Sequence, residues 1–186
     1  MKIRYNAPVT LTFSLIAAAV LLISSTILPS LTMNLFTVQP SMQAGNPVDY
    51  IRLFTHVLGH SNWNHLMGNL ALLLLIGPIL EEKHGGFRLM SMILITAFIT
   101  GLLNIIFMPS GLLGASGVVF MMILLVSFTN IRSGEIPLTF ILILILYLAR
   151  EFYGVFQDDN ISRLAHIIGG ICGSMFGFLR PSQRQE

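Results

Sequence analysis

Three groups of side chains in the 186-residue sequence could take part in proton transfer or attack a carbonyl. The first is His56, His60, His65 and Asn69; the second is Ser116 within Gly114-Ala115-Ser116-Gly117; the third is His166, three residues before Gly169. A serine hydroxyl becomes an effective nucleophile only when a base takes its proton, and imidazole titrates in the right range to do so. Ser116 and His166 would form such a dyad if their heavy atoms came within about 2.6–3.2 Å. Acyl transfer also needs donors aimed at the oxygen that becomes negative. The Ser116 N–H would lie at a helix start, where free amides and the helix dipole favour an anion. His65 and Asn69 are four apart, share a helix face, and could add an imidazole and an amide N–H.

The same residues also have plainer readings. A membrane serine commonly packs closely and bonds a backbone carbonyl. His60 and His65 could cap a helix and bond loop carbonyls, or hold a metal. A metal site would need convergent ligands; no HExxH run stands here, and Glu81 and Glu82 lie far along the chain from the histidines. The acids Asp49, Glu81, Glu82, Glu135, Glu151, Asp158, Asp159 and Glu186 fall in loops, span ends or tails, so no carboxylate completes a triad. Asp158 or Asp159 could reach inward, but a solvated loop charge is the simpler reading. Packing must then orient His166. Phe120, one turn after Ser116, is a candidate ring, with lipid or core contact as its other role.

The elements that position these residues follow from composition. Hydrophobic residues make up 54% and charged residues only 10%, against about a quarter charged in soluble domains. Polar side chains are too few to cover a compact body, so lipid must cover the rest. The net charge of +2 leaves no footprint for nucleic acid. The single cysteine, Cys172, can form neither an internal disulfide nor a thiolate metal site. No cofactor or metal is expected.

A span needs roughly 20 apolar residues, and ionised groups within it are costly. The gaps between charges predict an all-α polytopic membrane protein, one domain over 1–186, with six spans near 9–28, 64–82, 87–108, 115–130, 136–150 and 163–179. A polar loop with Pro40, Gly45, Asn46 and Pro47 follows the first span, and Gly85-Gly86 stops the second. The first segment lacks a small-x-small cleavage site and reads as an uncleaved span. This division places Lys2, Arg4, Lys83, Arg88, Arg132, Arg180 and Arg184 on one side and Arg52, Arg150 and Arg163 on the other. That excess makes both termini cytoplasmic. Spans two, four and six then all begin at the outer face, so the three groups fall at similar depth. Gly169, Gly173 and Gly177 form a small-residue ridge that admits a neighbouring backbone. If span four is that neighbour, Ser116 meets His166.

The run His56-xxx-His60-xxxx-His65-xxx-Asn69, then Gly114-Ala115-Ser116-Gly117, then Ala165-His166-xx-Gly169-xxx-Gly173, resembles the rhomboid family of intramembrane serine proteases. The resemblance covers five of the six spans. It implies a six-helix bundle with Ser116 as nucleophile, His166 as general base, and His65, Asn69 and the Ser116 amide as oxyanion hole. His60 carries over as a structural histidine under the first loop. Substrates would be membrane-spanning protein helices, cut near the outer surface where small or helix-breaking residues unwind them. Entry would be gated by span five and the loop from Glu151 to Asn160, with Phe152, Tyr153 and Phe156 as gate groups. The expected location is a multi-pass protein of a bacterial inner membrane. Two departures stand out: the first loop has Ile51-Arg52 where the family often has Trp-Arg, and Phe120 stands where many relatives place a tyrosine.

The alternative from another class is a non-catalytic rhomboid-like protein that binds membrane helices. Such a scaffold has no need of a nucleophile and a base at one depth. A transporter would want intramembrane charges along a path, and no acid or Lys/Arg falls within a span interior. Oligomeric state has no signature in the sequence.

Overall fold

The computed structural model describes residues 2–128, the helical positions 138, 141, 142, 145, 146 and 149, and residues 163–179. Ordered secondary structure there is helical: α1 (Pro8–Thr26), α2 (Leu31–Leu35), α3 (Pro47–Thr55), a 3-10 turn (His56–Leu58), α4 (Trp63–His84), α5 (Gly86–Phe107), α6 (Ser116–Phe128) and α7 (Arg163–Phe178). Among the described residues there is no strand beyond an isolated bridge between Val38 and Leu112.

Three helices, α1, α4 and α5, are long and apolar enough to cross a membrane. They are apolar around much of their circumference, as a helix between a protein core and lipid must be. Leu73, Leu80, Ile93, Met121, Leu125 and Ile168 fill the centre, while Leu15, Leu22, Leu75, Ile79, Ile95 and Ile106 project outward uncovered. The shorter α6 and α7 pack mainly on each other and supply the middle of the bundle.

The helix ends have local causes. Pro8 opens α1, where a missing N–H costs nothing. The Asn62 side chain caps α4 by accepting from His65 N at 2.9 Å. Gly85, at φ +81°, alone separates α4 from α5. Glu81 does more than mark a span end. It is buried, and its carboxylate accepts from Val9 N, Thr10 N and Thr10 Oγ1, each at 2.9 Å. A charge in the last turns of α4 therefore satisfies the orphan amides at the start of α1. Gly77 makes room, since a Cβ there would meet Thr10 Cγ2 at 2.5 Å.

The segment expected to be a plain loop after the first span is itself built from short helices. Asn46 caps α3 by accepting from Val48 N at 3.1 Å, and Pro47 opens it. Asp49 binds Gln43 N and the Arg52 guanidinium, and Arg52 Nε donates to Asn34 O at 2.8 Å. Arg52 thus fastens this layer with Ile51 exposed beside it. Phe54 stacks on Phe98 at 5.6 Å, joining α3 to α5. Of the expected fifth span, 136–150, only the six scattered positions are described; all are helical and exposed. Phe152, Tyr153, Phe156 and the loop carrying Asp158 and Asp159 lie outside the described residues.

Candidate active site

Ser116 is the first residue of α6, and the short run before it is held by two loop histidines. Gly114 N donates to His56 O at 2.9 Å, and Ala115 N approaches His60 Nε2 at 3.5 Å. Gly114 adopts φ +118°, open only to glycine, and a Cβ there would stand 2.7 Å from Cε1 and Nε2 of His65. The turn that presents Ser116 therefore lies directly against the His65 ring. The Ser116 residue is half-buried.

The neighbour on the α7 glycine ridge is α6. A Cβ on Gly169 would strike the Gly117 carbonyl, and one on Gly173 the Met121 carbonyl. In the reverse direction, a Cβ on Gly117 would lie 3.1 Å from Ala165 O. The two backbones touch beside Ser116 on one helix and His166 on the other. His166 is buried, and its imidazole meets the Phe120 ring at 4.4 Å between centroids with planes at 39°. Phe120 is thus a buried partner of the imidazole rather than a lipid contact.

From α4, His65 Nδ1 lies 3.2 Å from Ser61 Oγ, and its ring meets that of His60 edge-on at 4.9 Å. His65 is also within electrostatic reach of His166. Asn69, one turn further on, is buried and donates through Nδ2 to His60 Nε2 at 3.0 Å. Ser61 and Asn62 are exposed, whereas His60 is 1% exposed. Gly59, just before it, sits close to the end of α2, where a Cβ would strike the Phe36 carbonyl.

His56 is equally covered, with Nδ1 3.1 Å from Arg52 O and Nε2 3.4 Å from Thr100 Oγ1. Burial pushes both loop histidines down to about 4; for His60 the nearby His65 adds to the effect. Both are neutral at physiological pH. Sequence reasoning passed over the α5 residues behind them. Thr96, Thr100 and Asn104 recur every four residues on one buried face, and Asn104 Nδ2 holds Ser110 O at 2.8 Å, anchoring the turn that leads toward Gly114. That polar i, i+4, i+8 pattern inside an apolar span was the available signal.

These features define a helical membrane protein in which histidines from a structured first loop and a glycine crossing of two short helices converge on one serine-bearing turn. The Rhomboid domain model matches residues 47–183, and the chain belongs to the rhomboid family. It is 32% identical over 140 residues to Rhomboid-related protein 1 of Caenorhabditis elegans, covering 69% of this chain and 39% of that one. It is 26% identical over 138 residues to Rhomboid protease GlpG of Haemophilus influenzae, covering 73% and 72%. With Rhomboid-like protein 11, chloroplastic, of Arabidopsis thaliana it shares 25% identity over 146 residues, covering 70% and 52%. The matched region spans about two fifths of the nematode relative and about half of the plant one.

Proposed function

We propose that the protein is an intramembrane serine endopeptidase that hydrolyses peptide bonds in or near transmembrane segments of other membrane proteins. The observation that carries this reading is the α6–α7 crossing. Ser116 precedes Gly117 and His166 follows Ala165, and those two neighbours are in backbone contact, with Phe120 packed on the imidazole. A packing serine would have no need of a buried imidazole beside it.

In this mechanism His166 takes the Ser116 hydroxyl proton as Oγ bonds to the scissile carbonyl carbon, and the carbonyl π electrons move to oxygen. The Ser116 N–H, the His65 imidazole and the Asn69 amide receive that oxyanion. The mechanism requires the His65 tautomer with its proton on Nε2, the edge beside Gly114, in which Nδ1 accepts from Ser61 Oγ 3.2 Å away. His166 then gives its proton to the leaving amine as the C–N bond breaks. Water, entering past exposed Ser61 and Asn62, loses a proton to His166 and hydrolyses the ester, and Ser116 is restored. Phe120, packed on the imidazole, orients the base.

The Lys/Arg distribution supports cytoplasmic termini and a site opening toward the outer face of the membrane. Substrate helices would be cut where small or helix-breaking residues leave backbone accessible, since a stable helix hides its carbonyls in its own hydrogen bonds. Likeness to a relative named as a rhomboid protease supports the activity.

The test is cleavage of a reporter membrane helix by protein reconstituted in lipid vesicles. Wild type should cleave, and Ser116→Ala and His166→Ala should each lose at least about 10³-fold in turnover. Undiminished cleavage by Ser116→Ala contradicts the proposal. A wild type that binds the helix without cutting it would favour the non-catalytic binder.

A further inference from the structure

His60 is buried, and its two ring nitrogens face different kinds of partner. Nδ1 lies 3.3 Å from Leu58 O, an atom that can only accept, so Nδ1 carries the proton. Nε2 therefore presents a lone pair. It faces two donors, Asn69 Nδ2 at 3.0 Å and Ala115 N at 3.5 Å. The first belongs to α4. The second is the amide immediately before Ser116. A single nitrogen atom thus joins the α4 side of the site to the turn that presents the serine.

The Asn69 amide has two N–H bonds on Nδ2 and a carbonyl that could be exchanged with them by a half-turn of the side chain. A neutral, unprotonated Nε2 accepts only from the N–H side, so it selects one of these orientations. With one N–H directed at His60, the other remains to donate elsewhere.

We propose that His60 is a positioning residue of the active site: by accepting from Asn69 it fixes that amide with its second N–H toward the substrate oxygen, and by lying against Ala115 N it holds the Ser116 turn in register with it. This rests on the protease reading above and adds to it a role for a histidine that touches neither substrate nor reacting atoms. The neutral state is built in: burial and the edge of His65 oppose protonation, which would turn the acceptor into a third donor.

Asparagine and glutamine separate the two ring nitrogens. In His60→Asn the side-chain amide nitrogen can replace Nδ1 toward Leu58 O, but nothing reaches the Nε2 position. In His60→Gln the amide oxygen can stand at the Nε2 position and accept from Asn69, while the Leu58 bond is lost. With full-chain protein in vesicles and the reporter helix, the expectation is that His60→Asn loses at least about tenfold in kcat with KM changed less than about threefold. His60→Gln should recover most of that loss even if it melts at a lower temperature. In an Asn69→Ala background, His60→Asn should cost no more than about a further twofold, because the group it positions is gone.

Equal kcat for the Asn and Gln variants, with losses that follow melting temperature, overturns the positioning role, as does an undiminished loss in the Asn69→Ala background. A wild type without Ser116-dependent cleavage overturns the protease reading and this inference with it. A cleaving wild type whose His60→Asn variant keeps full kcat overturns the inference alone.

Discussion

The Phe120 ring lies against the His166 imidazole at 4.4 Å between centroids, inclined by 39°. This contact restricts rotation of the imidazole. A ring pair contributes roughly 0.5–1.5 kcal/mol beyond its buried area. Phe120→Leu keeps most of the volume and loses the ring face, so turnover should fall about 2- to 10-fold, while Phe120→Tyr should stay near wild type. Reporter cleavage rates compare the three; a Leu variant as fast as wild type would remove Phe120 from the mechanism.

Backbone contact between α6 and α7 depends on the absence of side chains. A Cβ at Gly169 or Gly173 would land on the carbonyl of Gly117 or Met121, and a backbone carbonyl cannot move aside as a flexible side chain can. Gly169→Ala and Gly173→Ala should each destabilise by about 1–3 kcal/mol or more. Gly68→Ala is the control, since a Cβ at Gly68 meets nothing within 4 Å. Melting in detergent should show a large drop for the first two and little change for the third; equal melting for all three would mean the helices do not cross as described.

Glu81 fastens the start of α1 through three hydrogen bonds. Glu81→Ala leaves the Val9 and Thr10 amides unsatisfied and should cost about 2–4 kcal/mol. Because the contact is at the other end of α4 from His65, turnover measured well below the melting point should fall less than about threefold. Loss of turnover without loss of stability would contradict this separation.

The helical class was legible in the long apolar runs between charges, and the glycine ridge at Gly169 and Gly173 was legible as a place of close approach. Which helix would meet it was not, because spacing along one helix carries no information about its neighbour. The layer between α1 and α4 reads in sequence as a polar loop although Asn46 and Pro47 are a cap and an N1 residue; at 9 residues α3 is shorter than the window of roughly 11–18 over which a helical period is recognised. Glu81 looked like a boundary charge because its partners, Val9 and Thr10, are more than seventy residues away. The same distance hides the His60 contact to Ala115, 55 residues on, whereas Asn104 is legible in the sequence as a polar residue within a span.

His56 and His60 are held near 4, below the 6.5 of an exposed imidazole. Between those values the unfolded chain binds protons that the folded chain does not, so stability rises with pH. It is complete above about 6.5 and is lost progressively as pH falls toward 4, by at most about 1.4 kcal/mol per pH unit per histidine. Melting temperature in detergent should rise between pH 5 and pH 7, and His56→Gln should flatten the rise. A melting temperature independent of pH over this range would mean the two imidazoles are not buried neutral.

Mass spectrometry of the protein after reaction with a fluorophosphonate tests the nucleophile itself, without a substrate helix. The phosphonyl adduct should sit on the peptide carrying Ser116, be absent from Ser116→Ala, and form much more slowly in His166→Ala. An adduct on another residue, or equal labelling of wild type and both variants, would contradict the assignment of Ser116 and His166 as the reacting pair.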